Sequence, residues 1–67
     1  MKPILVRHFG KTIFLYEKYI SVEVKNSTLS LQPANTALAY DNYTFDNPNQ
    51  ALDQKAAVEE QIKNMHL

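Results

Sequence analysis

The stretch YDNYTFDNPNQ, residues 40–50, decides how this chain is read. Aromatics at Tyr40, Tyr43 and Phe45 give way to Asp-Asn-Pro-Asn-Gln. An asparagine side chain accepts a backbone N–H of a first helical turn, so Asn47 predicts an N-cap. Pro48 fits the first helical position, where no N–H is required. Gln50 lies three residues on and can reach back, as in a capping box. Asp53 then falls near the positive end of the helix dipole. Residues 51–65 hold no Gly, Pro, Ser or Thr, so nothing interrupts a helix there. Ala51, Val58, Ile62 and Met65 make a narrow apolar stripe at helical spacing, with Leu52 and Ala56 beside it. The motif therefore predicts a joint: strands before it, and one helix over about residues 48–65, ~27 Å long.

Upstream the pattern changes to that of strands. Residues 4–8 and 12–16 flank Phe9-Gly10-Lys11, and Gly10 is the only glycine. Glycine takes positive φ without steric cost, so a hairpin is expected there. In residues 19–24, Ile20, Val22 and Val24 alternate with Ser21 and Glu23. Glu17-Lys18 is a poor tight turn, so residues 12–24 read as one long bent or bulged strand. Lys25-Asn26-Ser27 signals a turn, and Leu29 and Leu31 then face Ile20, Val22 and Val24 across an antiparallel hairpin. Pro33 marks a loop. Residues 36–40 and 43–45 read as strand pieces around an Asp41-Asn42 turn. The expected fold is α+β: a small antiparallel β-sheet of three to five strands, over about residues 4–45, packed against one C-terminal α-helix. No family pattern is legible in the residues.

At 67 residues the chain forms one domain. Such a domain buries only roughly 60% of its unfolded surface, so its margin is a few kcal/mol. There is no cysteine to add a disulfide or a thiolate metal site. The two histidines are far apart, so neither metal nor cofactor is expected. Tight packing or self-association remain as supports. The longest apolar run, residues 13–16, is far short of a membrane span. The N-terminal residues have no secretory apolar region, and a cytoplasmic protein is the expectation.

Catalysis is not expected. The chain has no Gly-x-Ser-x-Gly, no Gly-rich phosphate loop and no His-x-x-x-His. His8 reads as a strand residue and His66 as a terminal one. Glu59 and Glu60 point about 100° apart on a helix and do not converge. Asp41 and Asp46 read as turn and helix-entry residues.

Three function classes follow. The leading one is a non-enzymatic interaction protein, an inhibitor or regulator acting by surface contact. In size and plan it is like small phage or mobile-element proteins that bind a host protein. Its basis is the aromatic strand. Alternation puts Phe14 and Tyr16 with Ile20 and Val22, and puts Ile13, Leu15 and Tyr19 opposite, so both faces are apolar. One helix covers one face, and exposed apolar patches mark interfaces. The expected partner-binding residues are Ile13, Leu15, Tyr19, Tyr40 and Tyr43. The alternative is a curled sheet that buries both sets.

The second class is a nucleic-acid-binding domain. Residues 1–25 carry Lys2, Arg7, Lys11, Lys18 and Lys25 against Glu17 and Glu23, a balance of +3, while the remainder carries −3. Arg7, Lys11, Lys18 and Lys25 would contact phosphates beside stacking aromatics. The plainer reading is that these are ordinary solvated charges. The third class is a homodimer paired through a strand edge or an apolar face.

Overall fold

A computed structural model describes residues 2–65. The elements run β1 (Ile4–His8), β2 (Lys11–Leu15), β3 (Tyr19–Lys25), β4 (Thr28–Pro33), β5 (Asp41–Thr44) and α1 (Pro48–Met65). The α+β class is as the sequence predicts. The sheet is not a single one: β1 and β2 form a two-stranded hairpin, and β3-β4-β5 form a separate antiparallel sheet.

The first hairpin turns at Phe9-Gly10, with φ of 52° and 76°. Two successive left-handed residues suit the right-handed twist of the strands they join. A Cβ on Gly10 would meet nothing within 4 Å, so glycine answers a backbone demand here and not a steric one. Asn26, φ 58°, opens the turn between Lys25 and Thr28, where asparagine tolerates the left-handed region.

Register fixes the faces. In the hairpin, Ile4 lies opposite Leu15 and Val6 opposite Ile13, while Leu5 faces Phe14 and Arg7 faces Thr12. Directly opposed residues point to the same side. Ile4 and Val6 are fully buried, and Ile13 and Leu15 pack partly against the core. In the larger sheet, Val22, Leu31 and Asp41 form one row and Val24, Leu29 and Tyr43 the next. Leu29 and Leu31 are fully buried on that inner face. The opposite face is a ladder of polar groups. Ser21 Oγ donates to Gln32 Oε1 at 2.9 Å, Ser30 Oγ to Asn42 Oδ1 at 2.6 Å, and the Thr28 and Thr44 hydroxyls bond at 3.1 Å. The inner faces of hairpin and sheet therefore share one core with Ala51, Val58 and Ile62 of α1. The helix lies along β3 and β4 and against β1. Each fully buried Leu, Ile or Val contributes about 1.5–3 kcal/mol.

The long strand expected over residues 12–24 is two strands in two sheets, separated by residues 16–18. A β-bulge between Tyr19 and Ser21 adds a further change: Tyr19 opposes Pro33, Ser21 opposes Gln32, and Ile20 is the extra residue. A bulge breaks the two-residue alternation. Tyr19 and Val22 therefore share the buried side, and Ile20 is exposed. Pro33 has no N–H for the ladder. The chain closes instead through Ala34 N–H to the Lys18 carbonyl, 2.7 Å. The strand expected over residues 36–40 is irregular. Asn35 Oδ1 accepts from Ala37 N–H at 3.0 Å and its carbonyl from Leu38 N–H at 3.0 Å, which turns the chain. β5 runs straight through the Asp41-Asn42 position expected to turn.

The helix entry follows the sequence closely. Asn47 Oδ1 accepts from Gln50 N–H at 2.9 Å. Gln50 Oε1 reaches back to Asp46 N–H, 3.2 Å, one residue before the cap. Met65 and Leu52, expected on or beside the buried stripe, are exposed.

Candidate interaction surface

β1 has two edges. One pairs with β2, and the other meets two glutamines of the helix. Gln61 accepts from Leu5 N–H at 2.7 Å and donates to the Leu5 carbonyl at 2.9 Å, as a neighbouring strand would. Gln54 Oε1 accepts from Arg7 N–H at 2.9 Å. Because Leu5 and Arg7 aim their amides at the helix, the pairs Leu5–Phe14 and Arg7–Thr12 are the non-hydrogen-bonded ones. The backbone groups of Thr12 and Phe14 consequently point outward, along the free edge of β2.

Non-hydrogen-bonded pairs bring side chains closest, with Cα atoms ~4.5 Å apart. Leu5 and Phe14 are such a pair on the outer face of the hairpin, 40% and 55% exposed. Tyr16, the residue after β2, is about 60% exposed, whereas Phe9 lies over His8 towards the helix entry. A patch of large apolar side chains beside an open strand edge can take up an extended segment and bury its side chains at once.

Five residues were expected on such a patch, and the structure scatters them. Tyr19 is buried, its phenol donating to Asp41 Oδ2 on the inner face of the sheet. Ile13 and Leu15 pack against the core, and Tyr43 is half-buried. Only Tyr40 is openly exposed. The outward set is instead Phe14, Tyr16 and Ile20: pairing with β1 turns Ile13 and Leu15 inward and Phe14 outward, and the bulge turns Tyr19 inward and leaves Ile20 exposed.

Tyr19 is held in its neutral form. Burial, then the bond to Asp41, pushes its phenol well above the ordinary value of 10.0. Burial and the Asp41 charge push Tyr43 upward as well. His8 ties the hairpin to the larger sheet. Its Nε2–H donates to the Thr44 carbonyl at 2.7 Å, and its ring meets Phe9, Tyr43 and Phe45 edge-on at 4.4, 5.6 and 4.9 Å. The Thr44 carbonyl points off the free edge of β5, so this bond caps that edge.

The four basic residues of the nucleic-acid reading do not share a face. Arg7 is on the outer face of the hairpin. Lys11 is opposite His8, on the hairpin's inward-facing side. Lys18 lies between β2 and β3, and Lys25 is on the polar face of the larger sheet. Their spacing in sequence gave no sign of this dispersal, which follows from the split into two sheets. A groove of about 540 Å³ runs between β3 and α1, lined by Ile20, Val22, Ala56, Glu60 and Lys63 among others. Among the described residues there is no cluster of three or more His, Cys, Asp or Glu that could hold a metal ion. No described helix is long and apolar enough to cross a membrane. No protein-family model, curated protein or solved structure matches the chain.

Proposed function

We propose that this chain is a non-enzymatic interaction protein, an inhibitor or regulator that acts by covering part of another protein. Its contact surface is the outer face and free edge of the β1–β2 hairpin. The observation that carries this reading is the opposed, solvent-facing pair Leu5–Phe14 beside an unpaired strand edge. Opening apolar side chains to water costs about 25 cal/mol per Å². A domain of this size, with a small stability margin, retains such a cost most readily where binding recovers it. Tyr16 adds aromatic area of the kind that dominates interface energetics.

The test is capture of binding proteins on immobilised chain, with and without nuclease. Phe14→Lys and Tyr16→Ala are compared with Ser30→Lys on the polar face. Capture that survives nuclease, is lost in the two hairpin variants and persists in Ser30→Lys supports the reading. Capture unaffected by the hairpin variants, or abolished by nuclease, overturns it.

A further inference from the structure

The connections between the elements of this fold are unequal. Most hold two or three residues, whereas residues 34–40, between β4 and β5, number seven. Residues 35–40 are all exposed, the longest such run among the described residues. Both ends of the segment are fixed. Ala34 N–H donates to the Lys18 carbonyl at 2.7 Å, and Asp41 pairs with Leu31. Inside it, the Asn35 turn takes the amides of Ala37 and Leu38, and Asn42 Nδ2 donates to the Tyr40 carbonyl at 3.5 Å. Among the described residues Ala39 takes part in no hydrogen bond. Long exposed connections are where endopeptidases nick a folded chain, and an apolar primary pocket selects a large apolar residue before the cut. Leu38 is 41% exposed. Other large apolar side chains are as exposed, but apart from Tyr40 they lie in strands, in α1, or in short connections, as Phe9 and Tyr16 do.

We propose that the Leu38–Ala39 bond is a processing site for an endopeptidase with an apolar primary pocket, and that the cut leaves two fragments assembled. One water is consumed: the Leu38 carbonyl becomes a carboxylate, and the Ala39 nitrogen becomes a terminal ammonium. The Tyr40–Asp41 bond is the poorer target. Its carbonyl is held by Asn42, and Asp41 begins the β5 ladder. The first fragment carries β1 to β4, and the second carries β5 and α1. Four β4–β5 pairs join them, as do the His8 bond to the Thr44 carbonyl and both Gln61 bonds to Leu5. Leu29 and Leu31 of the first fragment share the core with Val58 and Ile62 of the second. The cut thus turns a one-chain fold into a two-chain complex, whose persistence depends on concentration. Processing would end the activity of a dilute protein while sparing a concentrated one. This inference is independent of the contact surface on the hairpin.

The test is limited digestion with chymotrypsin, its fragments read by mass spectrometry and size-exclusion chromatography, with circular dichroism to confirm that each variant is folded. The expected first cut follows Leu38. The two fragments co-elute at about 1 mM and separate below about 1 µM. Leu38→Ser slows that cut at least about tenfold. Leu38→Arg transfers the first cut to trypsin at the same bond. Asn35→Ala removes one bond of the turn and speeds the cut about fivefold, because cleavage follows the population of the opened segment. A first chymotryptic cut at any other bond overturns the proposal. So does a first tryptic cut of Leu38→Arg elsewhere, or a cut chain whose fragments separate at 1 mM. None of these results touches the hairpin reading, which is tested by capture on the uncut chain.

Discussion

Tyr19 shows how one side chain serves both the core and its polar chemistry. Its ring fills the inner face beside Val22, and its hydroxyl finds the one carboxylate on that face, Asp41. A buried donor left without a partner costs about 1–3 kcal/mol, so the pair belongs together. Its phenol titrates well above 10.0 in the folded chain. A raised folded value means the unfolded chain loses the proton first. The stability that depends on neutral Tyr19 is complete below about pH 10 and falls as pH rises above it. Tyr19→Phe is expected to cost about 1–2 kcal/mol near neutral pH and to flatten the alkaline decline, as read by urea unfolding from pH 7 to 11. An unchanged alkaline slope in Tyr19→Phe would remove Tyr19 as its source. Phe9 is the converse case: a bulky residue at φ 52°, strained by about 1–2 kcal/mol, whose ring packs edge-on against His8.

At the scale of elements, the helix was the most legible part of the sequence. Asn47-Pro48 marked its start, and the nineteen residues after that proline hold no glycine or proline. The Gly10 turn and the β3–β4 hairpin were legible for similar reasons, a backbone demand in one and clean alternation in the other. The extra residue at Ile20 was not, because a bulge leaves no pattern in a segment apolar on both sides. The bulge puts Tyr19 in the core and Ile20 outside, while Ile13 and Leu15 face inward because β2 pairs with β1 in a separate sheet. Ile20→Ser is expected to change stability by less than about 0.5 kcal/mol. The same change at Leu31 would cost several kcal/mol. Urea midpoints of the two variants separate these outcomes, and a core-sized loss at Ile20 would contradict the bulge. The strand guard on α1 also went unread, although Gln54 and Gln61 lie two turns apart on one helix face. Gln61→Ala removes both bonds to Leu5 and is expected to cost about 1–2 kcal/mol, the bonds being partly replaced by water. A loss below 0.3 kcal/mol in thermal unfolding would mean that water serves the β1 edge equally well.

Over the whole molecule, hairpin and helix share the inner face of a three-stranded sheet, while the opposite face of that sheet is polar throughout its paired rows. This division explains why a chain apolar on both sides of one segment still forms a single core: two sheets supply two inner faces. Part of the exposed apolar surface, Leu5 and Phe14, lies on the hairpin next to the edge of β2, while Ile20, Leu38, Tyr40 and Leu52 lie elsewhere. The most direct measurement of this account is residue-resolved amide hydrogen exchange in dilute solution. Leu5 and Arg7 amides, bonded to Gln61 and Gln54, should be protected. Thr12 and Phe14 amides, on the uncovered edge of β2, should exchange fast. Thr12 and Phe14 protected as strongly as Ile13 would contradict the free edge.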